Sequence, residues 1–277
     1  MGHGHGNGRG PGNDGLAGGG KGVGATVTSV TLTSGADSVG TTGNDLILAT
    51  AATLNSGDSL VGDTGMDTLS LSGSGTFNLN SLTAFSGIER IQGDSSDQVF
   101  QLKDGADLSL STGSGHNTIT TGASGTQSLQ LGSGSNTVTA GAGTTLVTTH
   151  GGTDVITGGS GALNVRAESG ITSIIAGSGG SHIDLGWGKV TLTAGTGVDV
   201  IDLGHGSGSA TVTSFTQGSD LLQVHDGHVS SYAELLTVAT VTSADGNTTI
   251  SLSGGPSVTL VGVSSVSASD FDFTHGG

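Results

Sequence analysis

The chain has 277 residues, of which 55 are Gly and none is Cys, and its 22 acidic against 6 basic residues give a formal net charge of −16. That charge argues against nucleic-acid binding, which needs clustered Lys and Arg, and the lack of Cys excludes disulfide scaffolds, thiolate zinc sites and Cys nucleophiles. No run of about 18 apolar residues is present, so no transmembrane insertion is expected, and Gly does not recur every third residue with Pro as collagen requires.

Residues 1–24 read as a flexible Gly/His-rich tail without the apolar stretch of a secretory signal. His3 and His5 stand in alternation and are able to chelate a transition metal, although a free tail is the simpler reading. From Ala25 the segment ATVTSVTLTS alternates Thr or Ser with Val or Leu and predicts a strand.

The centre of the chain repeats with a period of nine. Gly stands at 125, 134, 143, 152, 161, 170, 179, 188, 197 and 206. Four residues after these follow Leu129, Val138, Val147, Ile156, Val165, Ile174, Ile183, Leu192 and Ile201. A helix would let such a ladder drift around its axis, whereas a short strand plus a tight turn keeps it on one side. Gly at the turn is expected to supply positive φ. Two units make one 18-residue coil, and stacked coils form parallel strands about 4.8 Å apart. The expected fold is therefore all-β: a parallel β-solenoid, with a tail at 1–24, the solenoid at 25–214 and a C-terminal β cap at 215–277. Two facing columns of Val, Ile and Leu explain how 3% aromatic residues suffice for a core.

The segments GTTGNDLIL (Gly40 to Leu48), GDTGMDTLS (Gly62 to Ser70) and AGTGVDVID (Ala194 to Asp202) resemble the nonapeptide G-G-x-G-x-D-x-U-x of the RTX calcium-binding β-roll proteins. GSGSNTV and HGGTDVI match in part, and the stretch from Thr50 to Gly93 resembles the solenoid of RTX-type surface-layer and large secreted proteins. The C-terminal part, from Phe215 to Phe273, is similar to the segment that closes many β-rolls and carries the signal for type I secretion machinery. This resemblance implies a secreted protein, extracellular or at the cell surface, with Ca²⁺ held by Asp at position six of the repeat and by turn carbonyls.

In the central repeats that column reads Gln127, Asn136, Thr145, Asp154, Leu163, Thr172, Ser181, Val190 and Asp199. Little calcium is expected there beyond one weak site at Asn136 and Asp154, which are 18 apart. The N-terminal units are better supplied, with Asp45, Asp58, Asp63 and Asp67. An 18-residue column also aligns Arg166, Asp184, Asp202 and Asp220, where stacked carboxylates need solvent or a cation. Arg166 is expected to neutralise Asp184, with nothing basic beside Asp202 or Asp220. The remaining histidines (His116, His150, His182, His205, His225, His228, His275) share no metal-ligand spacing, and Trp187 is expected to be exposed in a turn.

No catalytic motif is recognisable, and the sequence is not expected to be an enzyme. The leading expectation is a secreted structural protein of the bacterial surface or biofilm matrix, with calcium-assisted folding and self-assembly into filaments or sheets. One alternative is an ice-binding solenoid, suggested by TVT at 137–139 and TLT at 191–193 but interrupted by Val155/Thr157 and Ser173/Ile175. Another is a calcium-binding accessory module of a secreted partner.

Overall fold

A computed structural model describes residues 27–204, 206–225 and 229–273. The predicted tail at 1–24, with His3 and His5, lies outside these residues, as do His205, His228 and His275. The chain winds into a parallel β-solenoid of about 10 coils. One column of strands runs through Asn44–Thr50, Thr68–Ser72, Arg90–Gln92, Leu108–Ser111 and Thr126–Leu131 and on to Leu221–Gln223. A second runs from Gly75–Asn78 through Gln98–Gln101, Thr118–Thr120 and Thr137–Thr139 to Ser209–Thr213. At the N-terminal end Ser38–Val39, Ser59–Val61 and Ala84–Ser86 form a separate three-stranded sheet.

The nine-residue apolar ladder splits between the two columns. Leu129, Val147, Val165, Ile183 and Ile201 stack on one face, and Val138, Ile156, Ile174 and Leu192 on the other. All are at most 2% exposed. Burying each such side chain contributes about 1.5–3 kcal/mol, repeated at every coil. The few aromatics sit where the coils are wider or end: Phe77 stacks on Phe100 at 5.9 Å, and Tyr232 meets Phe271 at 5.3 Å.

The 18-residue coil holds only in the middle. Gln127, Thr145, Leu163, Ser181 and Asp199 pair at that spacing. Earlier coils are longer, with Leu46 opposite Thr68, Thr68 opposite Arg90, and Ser109 opposite Ser128. Later, Thr191 faces Thr211 and Val200 faces Leu221. The last coil strand, Leu221–Gln223, falls within the segment expected to be cap.

The expected turn conformation accounts for only part of the glycine ladder. Positive φ is found at Gly125, Gly152, Gly170 and Gly206, but not at Gly134, Gly143, Gly161, Gly179, Gly188 or Gly197. These lie where one turn stacks on the next, so a Cβ at Gly134 would collide with the Gly115 carbonyl oxygen and one at Gly161 with that of Gly143. Strand-to-strand spacing carried into the turns leaves room only for hydrogen.

The C-terminal segment closes the stack. A short helix, Tyr232–Val238, starts at Ser231, whose side chain accepts the Glu234 N–H. The hairpin Ala239–Ala244/Asn247–Leu252 turns at Asp245 and Gly246, both at positive φ, as a two-residue hairpin loop demands. Ser257–Leu260 then adds to the second column on Ser209–Thr213, and Phe271–Asp272 to the first on Leu221–Gln223. No helix among the described residues is long and apolar enough to cross a membrane.

Candidate metal centre

The residue that opens each strand points inward, two positions before the apolar ladder. In the first column the polar residues at this position are Asp45, Asp67, Glu89, Gln127, Thr145, Ser181, Asp199 and Asp220, all buried except the half-buried Glu89. In the second it carries Gln98, Asn117, Asn136, Asp154 and Thr172, also buried. Buried polar groups need partners, and these find them in a regular way.

The acids of this ladder draw on two kinds of backbone N–H group. One comes from the same position a coil earlier: Asp45 N–H donates to Asp67 Oδ1 at 2.6 Å, Asn136 N–H to Asp154 Oδ1 at 3.0 Å, and Asp199 N–H to Asp220 Oδ1 at 3.0 Å. The other comes from the member's own turn, four residues back. Thr41 N–H donates to Asp45 Oδ2 at 2.6 Å, Gly195 N–H to Asp199 Oδ2 and Thr216 N–H to Asp220 Oδ2, both at 2.7 Å. Asp58 does the same in the N-terminal sheet, taking Asp37 N–H at 2.9 Å and Asn55 N–H at 2.8 Å. The acids are thus ladder pieces that pin a turn and tie it to the neighbouring coil.

Two members break the pattern. Asp67 Oδ2 and Asp154 Oδ2 are buried without any hydrogen-bond partner. In both, the turn bond from four residues back is missing. Asp63, which would supply it to Asp67, is held at φ 62°, and the turn before Asp154 passes through Gly151 and Gly152 at φ 129° and 73°. Burial pushes the Asp67 carboxyl above its ordinary range; the Asp45 N–H opposes this, while the like charges of Asp45, Glu89 and Asp63 add to it. Burial likewise raises Asp154 against the pull of the Asn136 amide and N–H. It also raises Asp220, although Thr216 and Asp199 donate to it.

These two orphan oxygens fit a hard cation better than any other feature of the ladder. Near Asp67 the Gly87 carbonyl oxygen and Asp67 Oδ2 both crowd the position a Cβ would take on Gly62, so oxygen donors of two turns converge there. Among the described residues no three His, Cys, Asp or Glu side chains are placed to share an ion. A metal here would therefore draw mainly on backbone carbonyls, which calcium accepts. Asp63 lies exposed at the rim of this turn. Asp58 and Asp220 have both oxygens engaged by N–H groups, and Asp45 and Asp199 each by one N–H and one hydroxyl, those of Thr41 and Ser181. Asn136 and Asp154 do adjoin, but as an amide donating to a carboxylate at 2.9 Å.

The expected column Arg166, Asp184, Asp202, Asp220 is not what stacks. Arg166, Asp184 and Asp202 do align, but the longer coil that follows puts Gln223 over Asp202 and sends Asp220 to the column of Asp199. Arg166 Nε lies 3.5 Å from Asp184 and 3.2 Å from Glu168. Asp202, expected to have no basic neighbour, has two: His182 Nε2 at 3.6 Å and His225 Nδ1 at 3.2 Å. Burial acts to raise the Asp202 carboxyl, but His182, the Gly204 N–H and His225 together hold it below its ordinary range. The bond to Asp202 raises His182 against the effect of burial. The signal was present in sequence, since His182 and Asp184 alternate onto the same outer face as Asp202. Of the other histidines, His116 Nδ1 accepts the Ser135 N–H at 3.2 Å and His150 Nδ1 meets the Leu131 carbonyl at 3.1 Å, both structural contacts between coils. Trp187 is 60% exposed, as its turn position suggested.

No protein-family model matches the chain, and no curated protein matches it significantly.

Proposed function

We propose that this chain is a secreted, non-catalytic structural protein of the bacterial cell surface or extracellular matrix, an RTX-like β-roll whose folding calcium assists. The observation that carries the reading is Asp67, buried with one oxygen unpartnered and with Asp45, Asp63 and Glu89 adding their negative field. A divalent cation offsets that field, and an all-oxygen donor set selects calcium over metals that favour imidazole or thiolate. Asp67, with turn carbonyls such as that of Gly87, would hold the ion, and Asp154 marks a second position. An ion that binds only the folded chain adds RT ln(1 + [L]/Kd), about 2.7 kcal/mol at a hundred times Kd. With −16 of formal charge to restrain, the chain stays open where free calcium is low and folds where it is high, which suits export through type I machinery.

The test is circular dichroism and thermal melting of the full chain in chelator, in calcium and in magnesium, beside Asp67→Asn. Calcium is expected to raise the melting temperature of the wild type well beyond magnesium, and Asp67→Asn to lose most of that increment. Identical melts in chelator and calcium would sink the proposal.

Assembly is the second part of the reading. Among the described residues Val27–Thr31 pairs on one side only, with Asn44–Thr50, and its residues are largely exposed. Such an edge is a template for a further strand, and a head-to-tail contact of this kind does not close. Electron microscopy should show concentration-dependent fibres or sheets that deletion of residues 1–34 abolishes at unchanged β-content. Equal assembly by the shortened chain would show that this edge is not the connector.

A further inference from the structure

The outer face of the second column differs in kind from the rest of the surface. Two outward positions on each of six successive strands, paired in register from Thr118–Thr120 to Ser209–Thr213, carry no charged residue; Lys189 faces out just beside them, at the start of Lys189–Thr193. Thr–x–Thr stands at 118–120, 137–139, 191–193 and 211–213, and between them lie Val155/Thr157 and Ser173/Ile175. Coils of 19 and 20 residues hide the first and last of these pairs from an 18-residue reading, so the array has six strands where the sequence suggests four. Nine of the twelve positions are Thr, and only Ser173 is not β-branched. All twelve are exposed or half-buried. Thr213 donates to the Leu192 carbonyl and the Thr193 hydroxyl. The other hydroxyls of the array make no protein hydrogen bond of their own.

We propose that this face binds ice. Outward residues repeat every about 6.7 Å along a strand and every about 4.8 Å between strands, close to the oxygen repeats on the prism plane of ice. β-Branched side chains are stiff at χ1, so hydroxyls and methyls are held on that lattice with little entropy left to lose. Free hydroxyls anchor waters, and the methyls between them order the waters that the hydroxyls do not hold. Other occupants fit less well. Six strands and two columns span on the order of 300 Å², well short of the roughly 800 Å² per partner of a standard protein interface. No aromatic side chain stands on these twelve positions to stack on a sugar ring.

The experiment is thermal hysteresis and ice-crystal shaping by the full chain, in calcium-containing buffer with the fold checked by circular dichroism. Failure here is then separable from failure of the calcium reading. Wild type is expected to show hysteresis and faceted crystals. Thr139→Lys with Thr193→Lys, both solvent-facing, should cut hysteresis at least tenfold at unchanged β-content, whereas Gln130→Lys on the opposite face should not. Val155→Thr with Ser173→Thr and Ile175→Thr completes the lattice and should raise hysteresis severalfold. Absence of hysteresis in wild type, or equal activity of the double lysine variant, overturns the proposal. So does a wild-type dimer that the double lysine variant splits, which would make a second copy the occupant.

Discussion

Asp154 offers the sharpest test of the inner ladder. Its Oδ1 accepts the Asn136 N–H at 3.0 Å and the Asn136 amide at 2.9 Å, while its Oδ2 is buried with no partner. The same column shows what an amide does in that position. Asn117 and Asn136 keep the acceptor role with Oδ1 and send Nδ2 to the carbonyl two residues back, Gly115 at 2.9 Å and Gly134 at 3.1 Å. Asp154→Asn should therefore extend an existing ladder, with Gly152 as the new acceptor, and remove an unpaired buried charge. Leaving a buried polar group unsatisfied costs about 1–3 kcal/mol, and each kcal/mol is worth about 2–4 °C in a domain of this size. The expected gain at neutral pH in chelator is thus about 2–12 °C. Its pH dependence has a fixed sign. Burial raises the folded carboxyl above the ordinary 3.8. Below that value both states are protonated and the wild type has no penalty. As pH climbs through the window above it, the unfolded chain releases its proton first and the folded state loses stability. The gap between variant and wild type should open over that window and then stay constant. Thermal melts from pH 3 to pH 8 measure it. A variant less stable at neutral pH in chelator, or a gain independent of pH, would refute the reasoning.

Gly177→Ala should destabilise by about 1–3 kcal/mol through overpacking, because its Cβ would meet the Gly159 carbonyl oxygen of the coil below. Gly35→Ala, with only the Thr33 hydroxyl 3.5 Å away, should stay within about 0.5 kcal/mol in the same denaturant titration. Since Asp202 raises the folded-state pKa of His182, that contact stabilises the fold fully below the ordinary 6.5 and fades as pH rises through the raised value. His182→Gln should accordingly lower the melting temperature at pH 5.5 and leave it unchanged by pH 9. The effect is at most about 1 kcal/mol, because the imidazole is 41% exposed. A gap that persists at pH 9 would assign His182 a packing role instead.

The apolar ladder was legible because one residue in nine has to face a narrow core, and each of its members is buried where the period puts it. Asp45, Asp67, Asp154 and Asp199 were legible as inward-facing positions of the two columns for the same reason, being two residues before that ladder and of the same parity. Coil length was not. The extra residues between Asp202 and Gln223 sit in turns, which lengthen without disturbing strand register, and they moved Asp220 from one column to another. Nor was it legible that Asp67 and Asp154 keep a free oxygen. That depends on whether the turn four residues earlier closes, and the φ of Asp63 and of Gly151 decides it. Both residue types occur equally well in turns that do close, so no spacing rule separates the cases.

The inner ladder also divides the solenoid electrically. Its acids gather toward the two ends, as Asp45, Asp58 and Asp67 at one and Asp199 and Asp220 at the other. The centre relies mainly on neutral groups, where Asn117 bonds Asn136 at 2.9 Å and the Thr121 and Thr145 hydroxyls meet at 3.0 Å. Neutral pairs need neither a proton nor a cation to stay buried, whereas a carboxylate needs a full set of N–H donors, an ion or protonation. Asp199 and Asp220 have their donors and Asp67 does not. On the proposed reading calcium acts first on the N-terminal coils, next to Val27–Thr31, which among the described residues pairs on one side only. The proposed ion and the edge proposed for assembly would then be linked through the strand Asn44–Thr50, near whose start Asp45 stands and on which Val27–Thr31 lies.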